Sequence, residues 1–135
     1  MDEITVRVEV EVNPTEAEEK VKTAVANLFG NMSLQTKPAY RGSVVTGEAK
    51  GQEALVKLRN LLRNDRVRDA ARRVFFGRLD EKAISFCLNK QVAFAGHISF
   101  SQEVAESPLG PIKVIIECEE PRKLIDWLAP RTTQN

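Results

Sequence analysis

The first regular feature of the chain also limits its fold most. Ile4, Val6, Val8, Val10 and Val12 alternate with Thr5, Arg7, Glu9 and Glu11. Successive side chains of a strand point to opposite faces, so this segment is a strand with one apolar and one wet face. A parallel sheet covered on both sides would instead read as a continuous apolar run. The strand therefore belongs to an antiparallel sheet covered on one side only, and the rest of the chain must supply the cover.

Asn13-Pro14 stops that strand and opens a helix, with Asn13 as N-cap and Pro14 at the first helical position. Glu16, Glu18 and Glu19 fall in the first turns, where the helix dipole favours them, and need no chemical role. Ala17, Val21, Ala24, Val25 and Leu28 recur at helical spacing, and Gly30-Asn31 closes the helix. Signals over 32–42 are weak, and 43–49 reads as a short strand. Leu55, Leu58, Leu61 and Leu62 mark a second helix. Asp65 then caps a third, whose core face is Val67, Ala70, Ala71, Val74 and Phe75.

The most strongly β stretch runs over 83–100. Ile84, Phe86 and Leu88 alternate, as do Val92, Phe94, Gly96, Ile98 and Phe100. Pairing Leu88 with Val92 leaves Asn89, Lys90 and Gln91 as a three-residue hairpin loop. Ser85, Cys87, Ala93, Ala95, His97 and Ser99 then form a small, polar open face. A loop over 103–111 ends in the rigid turn Pro108-Leu109-Gly110-Pro111. Ile112, Val114, Ile116 and Cys118 make the last strand, and Pro121 opens a helix with Leu124, Ile125 and Leu128 inward. The expected architecture is a single α+β domain over 1–135, a two-layer sandwich of mostly antiparallel sheet with helices packed on one face.

Charge is distributed unevenly. Residues 57–78 hold Lys57, Arg59, Arg63, Arg66, Arg68, Arg72, Arg73 and Arg78 against Asp65 and Asp69, a local +6 in a chain of net +1. Segregation of this kind concerns partners more than folding, and the polyanion that suits arginine is nucleic acid. Arg59/Arg63 and Arg68/Arg72 are like-charged pairs four residues apart, each disfavouring an isolated helix by a few tenths of a kcal/mol. Phosphate would relieve that repulsion. The alternative is that the long stems cover apolar surface while their heads stay wet.

Other chemistries find little footing. Cys87 and Cys118 lie in apolar alternating runs and read as buried free thiols of a reducing compartment. With one histidine and two cysteines there is no metal-ligand spacing. A Cys87–His97 dyad fails in the expected register, which sets the two roughly 13 Å apart along the strands. No phosphate loop, dinucleotide fingerprint or nucleophile elbow is present. No apolar run approaches the roughly 20 residues of a membrane span, and nothing at the start resembles a signal peptide. The expectation is a cytoplasmic, non-enzymatic protein without cofactor or metal. Periodicity places Phe29, Phe75, Phe86, Phe94 and Phe100 inward, so base stacking, which needs exposed rings, is not expected.

Asp69-Ala70-Ala71-Arg72-Arg73, then Leu88-Asn89-Lys90-Gln91, then Pro108-Leu109-Gly110-Pro111-Ile112 resemble, in order and spacing, a small archaeal family. The closing Ile125-Asp126 and Leu128-Ala129-Pro130 fit the same pattern, so the resemblance spans nearly the whole chain. Its members are labelled predicted exosome subunits or RNA-binding proteins. The resemblance implies an α+β domain similar to the ribosomal protein that binds 5S RNA, an association with RNA, and a place in an exosome-type complex. It carries over no catalytic residue.

The leading expectation is an RNA-binding protein that recognises backbone and shape through Arg59, Arg63, Arg68 and Arg72, with Lys90 at the hairpin tip as an outlying contact. The rival is a homodimeric assembly protein with no nucleic-acid role. It would use the open sheet face, with Ile115 between Lys113 and Glu117 as anchor.

Overall fold

A computed structural model describes residues 3–101 and 110–132. Most of the expected loop over 103–111, including Pro108 and Leu109 of the rigid turn, lies outside the described residues, as do residues 133–135.

Among the described residues six strands form one antiparallel sheet: β1 Thr5–Val12, β2 Ser33–Pro38, β3 Ser43–Lys50, β4 Ala83–Asn89, β5 Phe100–Ser101 and β6 Pro111–Glu117, in the order β2-β3-β1-β6-β4-β5. Five α-helices accompany them among the described residues: α1 Glu18–Phe29, α2 Val56–Asn64, α3 Arg68–Gly77, α4 Lys90–Phe94 and α5 Pro121–Leu128. The fold is α+β, as the alternation in β1 demands.

Register brings the apolar positions of three central strands onto one face. Val6, Val8 and Val10 lie opposite Ile116, Val114 and Ile112, which in turn face Ile84, Phe86 and Leu88. All are buried, together with Val21, Val25, Leu28, Leu58, Leu62, Phe75, Leu124, Ile125 and Leu128 of the helices. Each such side chain contributes about 1.5–3 kcal/mol relative to exposure. Phe75 of α3 meets Phe86 at 5.0 Å and Phe100 at 5.7 Å between ring centroids, an aromatic knot joining helix to sheet. Cys87 and Cys118 are buried and outside any disulfide, as expected, and burial pushes the pKa of the Cys118 thiol upward.

The chain departs from the sequence reading in four places. The expected second arm of the 83–100 hairpin is a helix, α4, followed by a short return to Phe100. Leu88 pairs with Phe100, not Val92. Asn89 drives the change, since its side-chain oxygen accepts from Val92 N at 3.0 Å and starts a helix where a turn into a strand was expected. Gly96, at φ +88, ends it. Phe94 is consequently 44% exposed rather than core.

The start of α1 also shifts. Asn13 is not its N-cap: Glu16 N donates to Asn13 O at 2.9 Å while Asn13 N donates to Glu16 Oε1 at 2.9 Å. That closed turn delays the helix to Glu18. Asp65 likewise does not cap α3. It ends α2, its N–H donating to Leu61 O at 2.9 Å, and its carboxylate goes elsewhere. Finally, the weak segment over 32–42 contains an edge strand, β2, whose pattern is nearly all exposed and so carries no alternation. Gly42, at φ +73, closes the β2–β3 turn against β1; a Cβ there would lie 2.0 Å from the Val12 carbonyl oxygen.

Candidate nucleic-acid interface

Carbonyls in the last turn of a helix lack intrahelical partners and carry the negative end of its dipole. Three cations of the basic stretch serve such ends. Lys57 Nζ donates to Ala26 O of α1 at 3.0 Å. Arg59 Nε donates to Trp127 O of α5 at 2.9 Å, its guanidinium 5.1 Å from the Trp127 ring centroid. Arg72 Nη1 donates to Ala129 O, just past α5, at 3.2 Å, and Nη2 lies 2.7 Å from Asp126 Oδ1. The Arg72 guanidinium also sits 5.0 Å from the Phe76 ring. These residues hold α1 and α5 against α2 and α3.

The structure therefore divides both like-charged pairs. Arg59 and Arg72 turn toward α5, while Arg63 and Arg68 remain at the α2–α3 corner. Arg63 and Arg66 are exposed and Arg68 half-buried. Among the described residues, the side chains of Arg63 and Arg66 make no hydrogen bond or ion pair, and Arg68 acts only as a charge beside Asp69. Asp69 is held by Thr132, whose hydrogen bonds are the first cause of its lowered pKa, with Arg68 and Arg73 adding to the effect.

The corner is a closed C-terminal turn of a specific kind. Val67 N donates to Leu62 O at 3.1 Å and Arg66 N to Arg63 O at 3.2 Å, the paired bonds of a Schellman motif. The residue at its left-handed position is Arg66, at φ +57, the sole non-glycine with positive φ among the described residues. Helix α4 ends in the same motif, His97 N donating to Val92 O at 3.0 Å and Gly96 N to Ala93 O at 3.0 Å, with glycine in the left-handed place. Asp65 joins the two turns: Oδ2 accepts from Ile98 N at 2.8 Å and Oδ1 lies 3.1 Å from His97 Nδ1. His97 is thus not on a sheet face, and its imidazole partners Asp65 rather than Cys87.

Lys90 is not at a hairpin tip. It is the first residue of α4, 5% exposed, with Nζ 2.9 Å from Glu16 Oε1 and 2.7 Å from Glu11 O. An ammonium enclosed in this way is unavailable as an outlying phosphate contact. Glu16, read from sequence as a helix-dipole residue, is its counter-ion. Exposed rings were missed as well: Tyr40, at the β2–β3 turn, is 99% exposed and Phe94 44%.

The sheet's solvent face differs from the small polar surface expected, because Ala93, Ala95, His97 and Ser99 are not strand residues. It is charged instead. Arg7 pairs with Glu48 at 3.7 Å and with Glu117 across the neighbouring strand. Glu9 stands opposite Lys113, and Ile115, beside Arg7, is 45% exposed. Among the described residues no three His, Cys, Asp or Glu side chains form a metal-holding group, and no helix is long and apolar enough to cross a membrane.

A family model described as RNA binding matches residues 5–118. A UPF0201 protein of Sulfurisphaera tokodaii is 43% identical over 127 residues, covering 94% of this chain and 88% of that protein. The crystal structure of a UPF0201 protein from Methanococcus jannaschii, 33% identical, superposes with a TM-score of 0.84 over 93% of this chain and 99% of that one. A DUF54 protein from Methanothermobacter thermautotrophicus, 20% identical, shares the fold with a TM-score of 0.60 over 94% and 99% of the two chains.

Proposed function

The chain belongs to the UPF0201 family of archaeal proteins, and on that premise we propose that it is a non-catalytic RNA-binding protein whose contact surface is the α2–α3 corner. Arg63, Arg66 and Arg68 meet phosphates there, with Arg73 further along α3. Arg59 and Arg72 support the corner from behind rather than touching RNA. Recognition is of backbone and shape, since guanidinium forks fit phosphate oxygens without reading bases.

The observation that carries this reading is Arg66. A left-handed backbone disfavours a residue with a Cβ by roughly 1–2 kcal/mol, and glycine would avoid it. The equivalent position after α4 is glycine. An exposed arginine kept in the strained conformation, close in sequence to Arg63 and Arg68, supports a role in binding rather than in folding. The family model's description points the same way. Service in an exosome-type complex, as the sequence resemblance implies, belongs to this reading, with RNA as the shared ligand. Binding of mixed-sequence RNA across a salt series, with wild type against Arg63→Ala/Arg68→Ala, tests it.

The homodimer reading keeps one specific observation, the exposed Ile115 on the open sheet face. Charged neighbours surround it, so a dimer through this face would have to match Arg7, Glu9, Glu48 and Lys113 with their counterparts. Sedimentation of Ile115→Glu against wild type decides it: a wild-type monomer removes the reading.

A further inference from the structure

Phe94 departs furthest from core logic. Its ring is 44% exposed although its backbone is fixed. Asn27 Nδ2 donates to Ala93 O at 2.9 Å and to Phe94 O at 3.2 Å, and the Gly96 turn closes the helix immediately beyond. The backbone under this ring thus has little left to order on binding, which favours a stacking platform. It forms one wall of a cleft of about 300 Å³, with Ala17, Val21 and Gln91 among the other walls. That is at the small end of ligand-sized cavities. Within the cleft, Glu16 and Lys90 neutralise each other. Lys20, itself exposed, holds its Nζ over the Phe94 ring, 5.7 Å from the centroid, so a cation already sits where a π-face is offered.

The cleft is joined to the arginine corner. Three residues after Phe94, His97 and then Ile98 are gripped by Asp65, the residue immediately before Arg66. The segment that leaves Phe94 is thus tied to the turn that carries Arg66. Every nucleobase offers a π-face, and aromatic stacking beside a phosphate-seeking cation is the common chemistry of single-strand sites.

We propose that the Phe94 cleft takes one unpaired RNA base, stacked on the ring in place of the Lys20 ammonium, which swings out to meet the adjacent phosphate. This rests on the RNA-binding reading above and refines it. The preferred ligand is single-stranded, because a paired base reaches such a platform only by leaving its helix.

The test uses the full chain and two probes: a short mixed-sequence single-stranded RNA carrying one fluorescent purine analogue that dims on stacking, and its duplex. Wild type should bind the single strand more tightly and quench the analogue. Phe94→Leu, which keeps an apolar side chain at a half-open position, should lose the quenching. It should weaken single-strand binding roughly ten- to a hundredfold while leaving duplex binding unchanged. Phe94→Trp should restore both. A Phe94→Leu protein that binds the single strand as wild type does, or weakens on both probes equally, overturns the stacking site and leaves the arginine corner standing. Loss of both probes in Arg63→Ala/Arg68→Ala identifies that corner separately. Failure of wild type to bind either probe at low salt overturns both readings together.

Discussion

Lys90 Nζ lies 2.9 Å from Glu16 Oε1, a pair that spans 74 positions of sequence with side chains 5% and 12% exposed. It fastens the start of α4 to the turn between β1 and α1, and a further bond to Glu11 O at 2.7 Å carries the link onto β1 itself. Two charges have been taken out of water here, and each offsets part of the other's desolvation.

Removing one partner should therefore be far worse than removing both. Glu16→Ala takes the carboxylate away from an enclosed ammonium and should lower stability by about 3–5 kcal/mol in urea titration. The double change Glu16→Leu/Lys90→Met should recover most of that loss. Additive losses in the double variant would show that the two side chains act independently.

The same pair sets a pH dependence. Burial pushes the Glu16 carboxyl upward, but bonds from Asn13 N–H, from Lys90 and from the Asn13 side chain outweigh it and leave its pKa below the ordinary 4.5. Because the folded value is depressed, the unfolded state takes up the proton first as pH falls. The contribution is thus complete above about pH 4.5 and is lost as pH drops through the folded value. Glu16→Gln cannot titrate, so its stability should change less over that acid window than wild type's, as followed by thermal melts.

Arg66 offers a sharper test of strain. Arg66→Gly keeps both Schellman bonds and relieves the left-handed backbone, so it should raise stability by about 1 kcal/mol. It should also weaken RNA binding, because one outward cation is gone. A variant that is both less stable and equally good at binding would contradict the role assigned to this residue.

Arginines of the basic stretch should separate by stability alone. Arg72→Ala removes a charged hydrogen bond to Ala129 O and a ring contact with Phe76, and should lose about 2–3 kcal/mol. Arg59→Ala, which frees Trp127 O, should behave similarly. Arg63→Ala and Arg68→Ala should stay within about 0.5 kcal/mol of wild type. Equal effects at all four positions would erase the division between inward and outward arginines.

The legible parts of this fold were those with a long, clean period. Val6 to Val12, Ile84 to Leu88 and Ile112 to Ile116 each present one buried face, and the sheet register follows from matching those faces. The segment from Val92 to Phe100 also alternates, yet alternation there was accidental. A five-residue helix shows too little periodicity to compete, and its real signals were a cap and a stop, Asn89 and Gly96. Strand β2 gave no pattern because an edge strand with nearly all positions exposed has no buried face to mark. For the candidate interface, local sequence located the charge but could not apportion it. Which arginines turn inward depends on where Trp127 and Ala129 come to rest, more than fifty residues further along. Lys90 was misplaced for the same reason, since its partner lies in a distant turn.

The central claim is that Arg63 and Arg68 contact RNA phosphates, and the salt dependence of affinity tests it most directly. Each phosphate contact to a single strand contributes a slope of about −0.7 on a log–log plot of binding constant against salt. Arg63→Ala/Arg68→Ala should thus reduce the magnitude of the slope by roughly 1.4 and weaken all RNA sequences about equally, while melting as wild type does. Identical slopes for the two proteins, or no saturable RNA binding by wild type at low salt, would contradict it.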